Sequence, residues 1–245
     1  MSTLLNRKQL PAFGAIDKFF DVDVLRQYCI DNDLTNYERF NSIRYGGDNQ
    51  EFILSNAHPK DKFFLEEGAE SLQGEKYRQF SLTDIFPEAK VNDAETILES
   101  NSSFKKRMRR LDPSHPNYIA EADHRNYGKP NAHFTGELQK VLSLFEARLL
   151  RVKLAVLMPG FTIKPHVDFD PTYLVRYHLP IITNDDVVFG ARLPNGETVE
   201  YKMPADGSIY FFNGGLLHWV SNNGTEPRLH LIADVEGQQD IKFKK

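Results

Sequence analysis

Residues 173–181 read YLVRYHLPI. Successive side chains of an extended chain point to opposite faces. Tyr173, Val175, Tyr177, Leu179 and Ile181 therefore share one face, and Leu174, Arg176, His178 and Pro180 share the other. The first face is apolar and belongs to a core. The second carries two basic, planar side chains in an otherwise apolar strand. A buried arginine without a partner is very costly, so a carboxylate is expected beside it. Residues 228–235, RLHLIADV, repeat the pattern: Arg228, His230, Ile232 and Asp234 on one face, Leu229, Leu231 and Ala233 on the other.

Outward from these two stretches, everything after residue 150 reads as β-structure. Further candidate strands are 150–158, 187–193, 198–203, 208–213 and 217–221. Turn chemistry separates them: Pro159-Gly160, Pro194-Asn195-Gly196, Ala205-Asp206-Gly207 and Asn222-Asn223-Gly224. Asn-Gly between strands favours a tight hairpin. Many short strands at such spacing predict a sandwich or barrel, a jelly roll being one solution. Before them, Leu138, Val141, Leu142, Phe145 and Leu149 recur at helical spacing, with Thr135 as N-cap and Glu137 in the first turn.

The N-terminal third is mixed. Residues 21–31 suit a short amphipathic helix with Val24, Leu25 and Tyr28 on one side. Residues 40–45 and 51–54 read as strands around the turn Gly46-Gly47-Asp48-Asn49. From 55 to 132 the periodicity fades, which predicts a lid-like insertion or an irregular loop. It contains a basic run, Lys105, Lys106, Arg107, Arg109 and Arg110, which reads first as a solvated face. The expected organisation is a single domain over 1–245, with N-terminal strands, helices and insertion in 1–133 and the β core in 134–240.

Bulk properties narrow the class. The 245 residues carry 26% charged and 40% hydrophobic side chains, as a soluble globular protein does. A net charge of −4 leaves no global footprint for nucleic acid or anionic membrane. Cys29 is the single cysteine, so an internal disulfide cannot form, which suits a reducing compartment. The N-terminus lacks a signal-peptide pattern and no segment has the length of a membrane span, so the cytoplasm is the expected location. Oligomeric state is not written in the sequence.

The chemistry centres on His166-Val167-Asp168 and, about fifty residues later, His218. On an extended strand His166 and Asp168 face the same way and can reach one ion, with His218 from a distant strand as third ligand. Two imidazoles and one carboxylate leave open positions, the arrangement of non-haem Fe(II) oxygenases. The competing reading is a polar surface turn flanked by Pro165 and Pro171. Arg228, ten residues after His218, could grip a dicarboxylate through parallel hydrogen bonds, or it could pair with Asp234.

Three pieces, RVKLAVLMPGFTIKPHVDFD (151–170), YLVRYHLPI (173–181) and LLHWVSNNGTEPRLHLIADVEG (216–237), together resemble the aspartyl/asparaginyl β-hydroxylase-like oxygenases. That family includes bacterial free-proline hydroxylases, and the last piece looks like its proline cis-4-hydroxylase members. The resemblance spans about residues 135–240 and does not visibly reach the first 130. It implies a mainly β fold with helical elaboration, a double-stranded β-helix of the jelly-roll, cupin-like kind. It implies Fe(II), 2-oxoglutarate and O2, with His166, Asp168 and His218 on the metal, Arg228 and His178 on 2-oxoglutarate, and Arg176 on a substrate carboxylate. Ala155 stands where some members carry a serine that supports 2-oxoglutarate. The carboxylate of Asp168 argues for hydroxylation over halogenation. The implied substrate is an amino acid or an amino-acid residue in a peptide, and Arg44, Tyr45, His124 and Arg125 are further candidates to contact it. The alternative from another class is a cupin-like metal-binding or sensing module without turnover.

Overall fold

A computed structural model describes residues 4–40, 76–89, 114, 118, 120 and 123–244. In chain order its elements are β1 (Phe13–Phe19), α1 (Val22–Asp31), β2 (Tyr77–Ser81), β3 (Thr83–Asp84), β4 (Lys129–Pro130), α2 (Gly136–Leu142), β5 (Arg148–Leu157), β6 (Phe161–His166), β7 (Val175–Ile182), β8 (Val187–Arg192), β9 (Thr198–Tyr201), β10 (Ser208–Phe212), β11 (Leu217–Asn222) and β12 (Arg228–Glu236). A six-stranded sheet has the order β1-β10-β7-β12-β5-β2, and a four-stranded sheet the order β6-β11-β8-β9. From β5 onward the chain passes back and forth between the two sheets, which is the winding of a double-stranded β-helix. The expected jelly roll is therefore the fold. The six-stranded sheet takes β1 and β2 from the N-terminal part of the chain.

The alternation read at 173–181 and 228–235 decides how the layers stack. Val175, Tyr177, Leu179 and Ile181 of β7 and Leu229, Leu231, Ala233 and Val235 of β12 face outward into the main core. They meet Leu25 and Cys29 of α1 and Leu138, Val141 and Leu142 of α2. The other face of the sheet looks into the space between the sheets. There Leu157, Tyr210 and Phe212 pack against Ile163, Val187, Phe189 and Val220. The sheet is thus covered on both sides, and its inner face holds the basic residues.

Several local expectations change. The helix α1 forms as expected and is capped by the Asp21 carboxylate, which accepts from the backbone N–H groups of Asp23 and Val24. Its buried stripe is Val22, Leu25 and Cys29, leaving Val24 exposed. The helix α2 stops at Leu142, and Leu149 is the second residue of β5. The apolar stripe was continued by a turn and a strand that happen to keep its spacing. Asn195-Gly196 does close a hairpin, between β8 and β9, with Gly196 at φ +89°. Asn223-Gly224 instead joins β11 to β12 in opposite sheets. Five strands went unread: β1, β6, and the three, β2, β3 and β4, that lie in the stretch 55–132 expected to be a loop or insertion. The strand β6 is an edge strand, where Pro165 is tolerated. The strands expected at 40–45 and 51–54, Arg44, Tyr45 and the run 105–110 lie outside the described residues. Among the described residues no helix is long and apolar enough to cross a membrane.

Gly190 on β8 is the Cα partner of Trp219 on β11, and a Cβ placed on it would lie 2.1 Å from the indole Cε2. Gly190→Ala should therefore overpack the four-stranded sheet, lowering stability by about 1–3 kcal/mol. Urea unfolding followed by the fluorescence of Trp219, the chain's one tryptophan, measures this. An unshifted midpoint would show that the indole turns away at no cost.

Candidate active site

His166 ends β6 and His218 lies on the neighbouring β11, where the two are Cα partners. Asp168 sits two residues beyond the end of β6, so strand alternation alone does not aim it. Its backbone N–H donates to the Gly214 carbonyl oxygen at 2.9 Å, which pins the loop to the start of β11. One ligand atom from each of His166, Asp168 and His218 lies within 4.8 Å of the others. His166 Nε2 is 3.8 Å from Asp168 Oδ1, and His218 Nε2 is 3.9 Å from Asp168 Oδ2.

The histidine tautomers follow from their neighbours. His166 Nδ1 lies 2.7 Å from the Lys164 carbonyl oxygen, and His218 Nδ1 lies 2.8 Å from that of Leu216. A carbonyl oxygen only accepts, so each Nδ1 carries the hydrogen and each Nε2 turns a lone pair toward Asp168. Such backbone anchoring of the far ring nitrogen is how proteins orient metal-binding imidazoles. Burial pushes the His218 pKa down to about 4, so this ring is neutral at physiological pH. The donor set fits a divalent transition metal.

Behind Asp168 lies a network of buried charge. Arg176 donates to Asp168 through Nη1 and to Asp234 through Nε (2.7 Å) and Nη2 (3.1 Å). Arg176 and Asp234 are Cα partners across β7 and β12. The carboxylate expected beside Arg176 is thus Asp234. The alternative pairing of Asp234 with Arg228 does not form. Burial raises the pKa of each aspartate, but the Arg176 charge outweighs it and holds both well below the ordinary range. His124 closes the network, its Nδ1 2.8 Å from Asp234 Oδ2. Burial overcomes the pull of that carboxylate and brings the His124 pKa down to about 4, so a neutral ring donates its Nδ1–H. All three nitrogen types of Arg176 are already engaged. A substrate carboxylate could reach it only by sharing.

Further along the same inner face, Arg228 is 1% exposed, and its guanidinium lies 5.6 Å from the Phe189 ring centroid. No carboxylate pairs with it among the described residues, and its Nε has no acceptor. Burial draws its pKa down to about 10, which still leaves it charged at neutral pH. His178 is buried nearby with Nε2 likewise unpartnered. A buried cation with unused donors fits an anionic carboxylate, as a 2-oxoglutarate site requires. The sequence reading missed Lys153 on β5. It is 7% exposed and has no hydrogen bond or ion pair among the described residues. Burial and then the Arg151 charge push its pKa well below the ordinary lysine value. The signal was present: Val152, Leu154 and Val156 face outward, which puts Lys153 inside.

Residues 120–237 match the aspartyl/asparaginyl beta-hydroxylase family. The match bears out the resemblance read from the three motifs. It covers just under half of the chain, including His166, Asp168, Arg176, His178, His218 and Arg228, and leaves β1 and β2 outside. No curated protein sequence matches the chain. Among solved structures, a prolyl-4-hydroxylase from Pseudomonas putida is similar at 14% identity and TM-score 0.44, over 93% of this chain and 94% of that one. An oxalate oxidase in complex with glycolate is similar at 15% identity and TM-score 0.29; this chain covers 41% of its length with 35% of its own. A predicted oxalate decarboxylase from Thermotoga maritima is similar at 19% identity and TM-score 0.27, over 36% of this chain and 68% of that one.

His124 gives the metal-free protein a pH dependence of definite sign. Between its ordinary value near 6.5 and its folded value of about 4, the unfolded chain binds a proton that the folded chain does not. Stability should fall as pH drops through that window, by up to about 1.4 kcal/mol per pH unit for one such group. His124→Gln keeps an N–H for Asp234 but removes the titration. Its stability between pH 7 and 4 should decline less steeply than the wild type's in denaturant titrations. Parallel curves would show that His124 is not held neutral.

Proposed function

We propose that this protein is an Fe(II)- and 2-oxoglutarate-dependent dioxygenase. It would hydroxylate an unactivated C–H bond of an amino acid, or of an amino-acid residue in a peptide, releasing succinate and CO2. The observation that carries this reading is Arg228, a buried guanidinium with no carboxylate partner among the described residues, on the strand that also bears Asp234. A metal-binding or sensing module without turnover would have no use for it.

In this reading His166, Asp168 and His218 hold the iron, which supplies O2 activation when bound. Arg228 grips the far carboxylate of 2-oxoglutarate, with His178 beside it. Arg176 keeps Asp168 ionised and fixed in direction, itself held by Asp234 and His124. Phe189 and Phe212 wall the interior and keep water from it. Lys153 faces the same interior, its ammonium without a hydrogen bond among the described residues, and offers a cation for a substrate carboxylate. Arg176 lends its field there and, by sharing, a direct contact. These cations match an anionic amino-acid or peptide group. The net charge of −4 gives no reason to expect nucleic acid. The cytoplasm remains the proposed location.

Adding Fe(II) and 2-oxoglutarate under anaerobic conditions should give a weak visible charge-transfer band, absent in His166→Ala, which should also lose metal binding. Arg228→Ala should keep the metal but raise the 2-oxoglutarate needed for half-saturation by on the order of tenfold to a hundredfold, as loss of hydrogen bonds to a charged group implies. Well-folded wild type that shows no band would overturn the co-substrate assignment. A succinate-release screen over free amino acids and short peptides identifies the substrate.

A further inference from the structure

Six buried side-chain atoms among the described residues lack a hydrogen-bond partner, and four of them belong to one face of one sheet. They are Arg228 Nε and His230 Nε2 on β12, His178 Nε2 on β7, and Gln79 Oε1 on β2. Buried polar atoms are nearly always paired, so four together point to a polar ligand. Asp234 marks the metal end of β12, through Arg176. From there the inner face runs Ile232, His230, Arg228. His230 therefore lies between the metal end and Arg228, along the path a chelating dicarboxylate must follow.

Gln79, Ala155 and His230 are successive Cα partners across β2, β5 and β12. Ala155 offers only a methyl group, so the sheet presents no longer side chain between these two polar ones. Gln79 lies on the inner face, since its amide Nε2 donates to the Tyr77 hydroxyl at 3.1 Å and Tyr77 packs against the inter-sheet core. Turned by half a rotation, the amide would accept from that hydroxyl and present its NH2 inward.

The two histidines constrain each other. Their Nδ1 atoms are 3.3 Å apart and share one hydrogen. A neutral pair then has one Nε2–H donor between its two rings. Burial, and then the Arg228 charge, hold both rings neutral. The ring of His230 stacks on Phe189, the same ring that lies under Arg228.

We propose that Gln79 and His230 are further co-substrate contacts, which complete the 2-oxoglutarate pocket across Ala155 together with Arg228 and His178. The inference rests on the 2-oxoglutarate reading above. It also brings a residue from outside the family match, Gln79, into the site.

The test uses full-length protein loaded with Zn(II), which is redox-silent and diamagnetic. Calorimetric titration with 2-oxoglutarate should show binding about tenfold or more weaker in Gln79→Leu and in His230→Phe, for one lost hydrogen bond to a charged group. Zn(II) affinity should stay unchanged in both, and His230→Gln should recover part of the loss. In the wild type, the 15N resonances of the His178–His230 pair should shift when 2-oxoglutarate is added, a readout that survives if a variant fails to fold. Wild-type-like 2-oxoglutarate affinity in both variants, or histidine resonances that do not move on binding, would overturn this inference and leave the co-substrate reading intact. A wild type that binds no 2-oxoglutarate overturns both.

Discussion

Arg176 stands between two buried aspartates, and much of the interior is arranged around that contact. One end of its guanidinium holds Asp234 and the other holds Asp168. A single buried charge would be expelled or neutralised; a cation shared by two carboxylates, with a histidine closing the far side, can stay inside the sheets. The arrangement ties the strand β7 to β12 by side chains as well as by backbone. It also carries order outward, from the rigid sheet to a carboxylate that hangs on a loop. Among the described residues, a backbone hydrogen bond to Gly214 and this guanidinium aim Asp168.

The same contact explains how the remaining charges are distributed. Asp168 and Asp234 are spent on Arg176, so neither neutralises Arg228 or Lys153. Two cations on one face are left without carboxylates among the described residues. One lies near aromatic rings and two imidazoles whose Nε2 atoms have no partner among the described residues. The other lies on β5. Giving Asp168 and Asp234 to a single arginine thus leaves these two cations uncompensated at separate places on the sheet.

What could be read in the sequence follows from this layering. The six-stranded sheet turns an apolar face outward and a polar, charged face inward, so period two is legible in β7 and β12 and their inward residues could be read. Tyr173 and Leu174, however, prove to lie in a turn before β7. The His-x-Asp and His218 set was legible because its residue types announce its chemistry. Edge positions were harder. The strand β6 carries exposed Lys164 and Pro165, and its ladder partner lies more than fifty residues away. Helical spacing misled at α2, because Phe145 and Leu149 keep the interval after the helix has ended. The partner of Arg176 was beyond a one-dimensional reading, since choosing Asp234 over other carboxylates requires the register of β7 on β12. Gln79 was farther still, as only the pairing of β2 with β5 brings it near His230.

That pairing also has a kinetic meaning. The candidate metal ligands come from residues 166–218, a stretch that closes on itself through β6 and β11. The strands β1 and β2 reach the sheet only by long loop closures, with Phe13 pairing Phe212 and Gln79 pairing Ala155. Contacts so distant in sequence must have their chain entropy offset before they add stability, and they slow folding. The part of the chain that could grip a metal can therefore organise before the sheet is complete. The inner face around Gln79 is complete only once β2 has paired with β5, a contact between segments far apart in the chain.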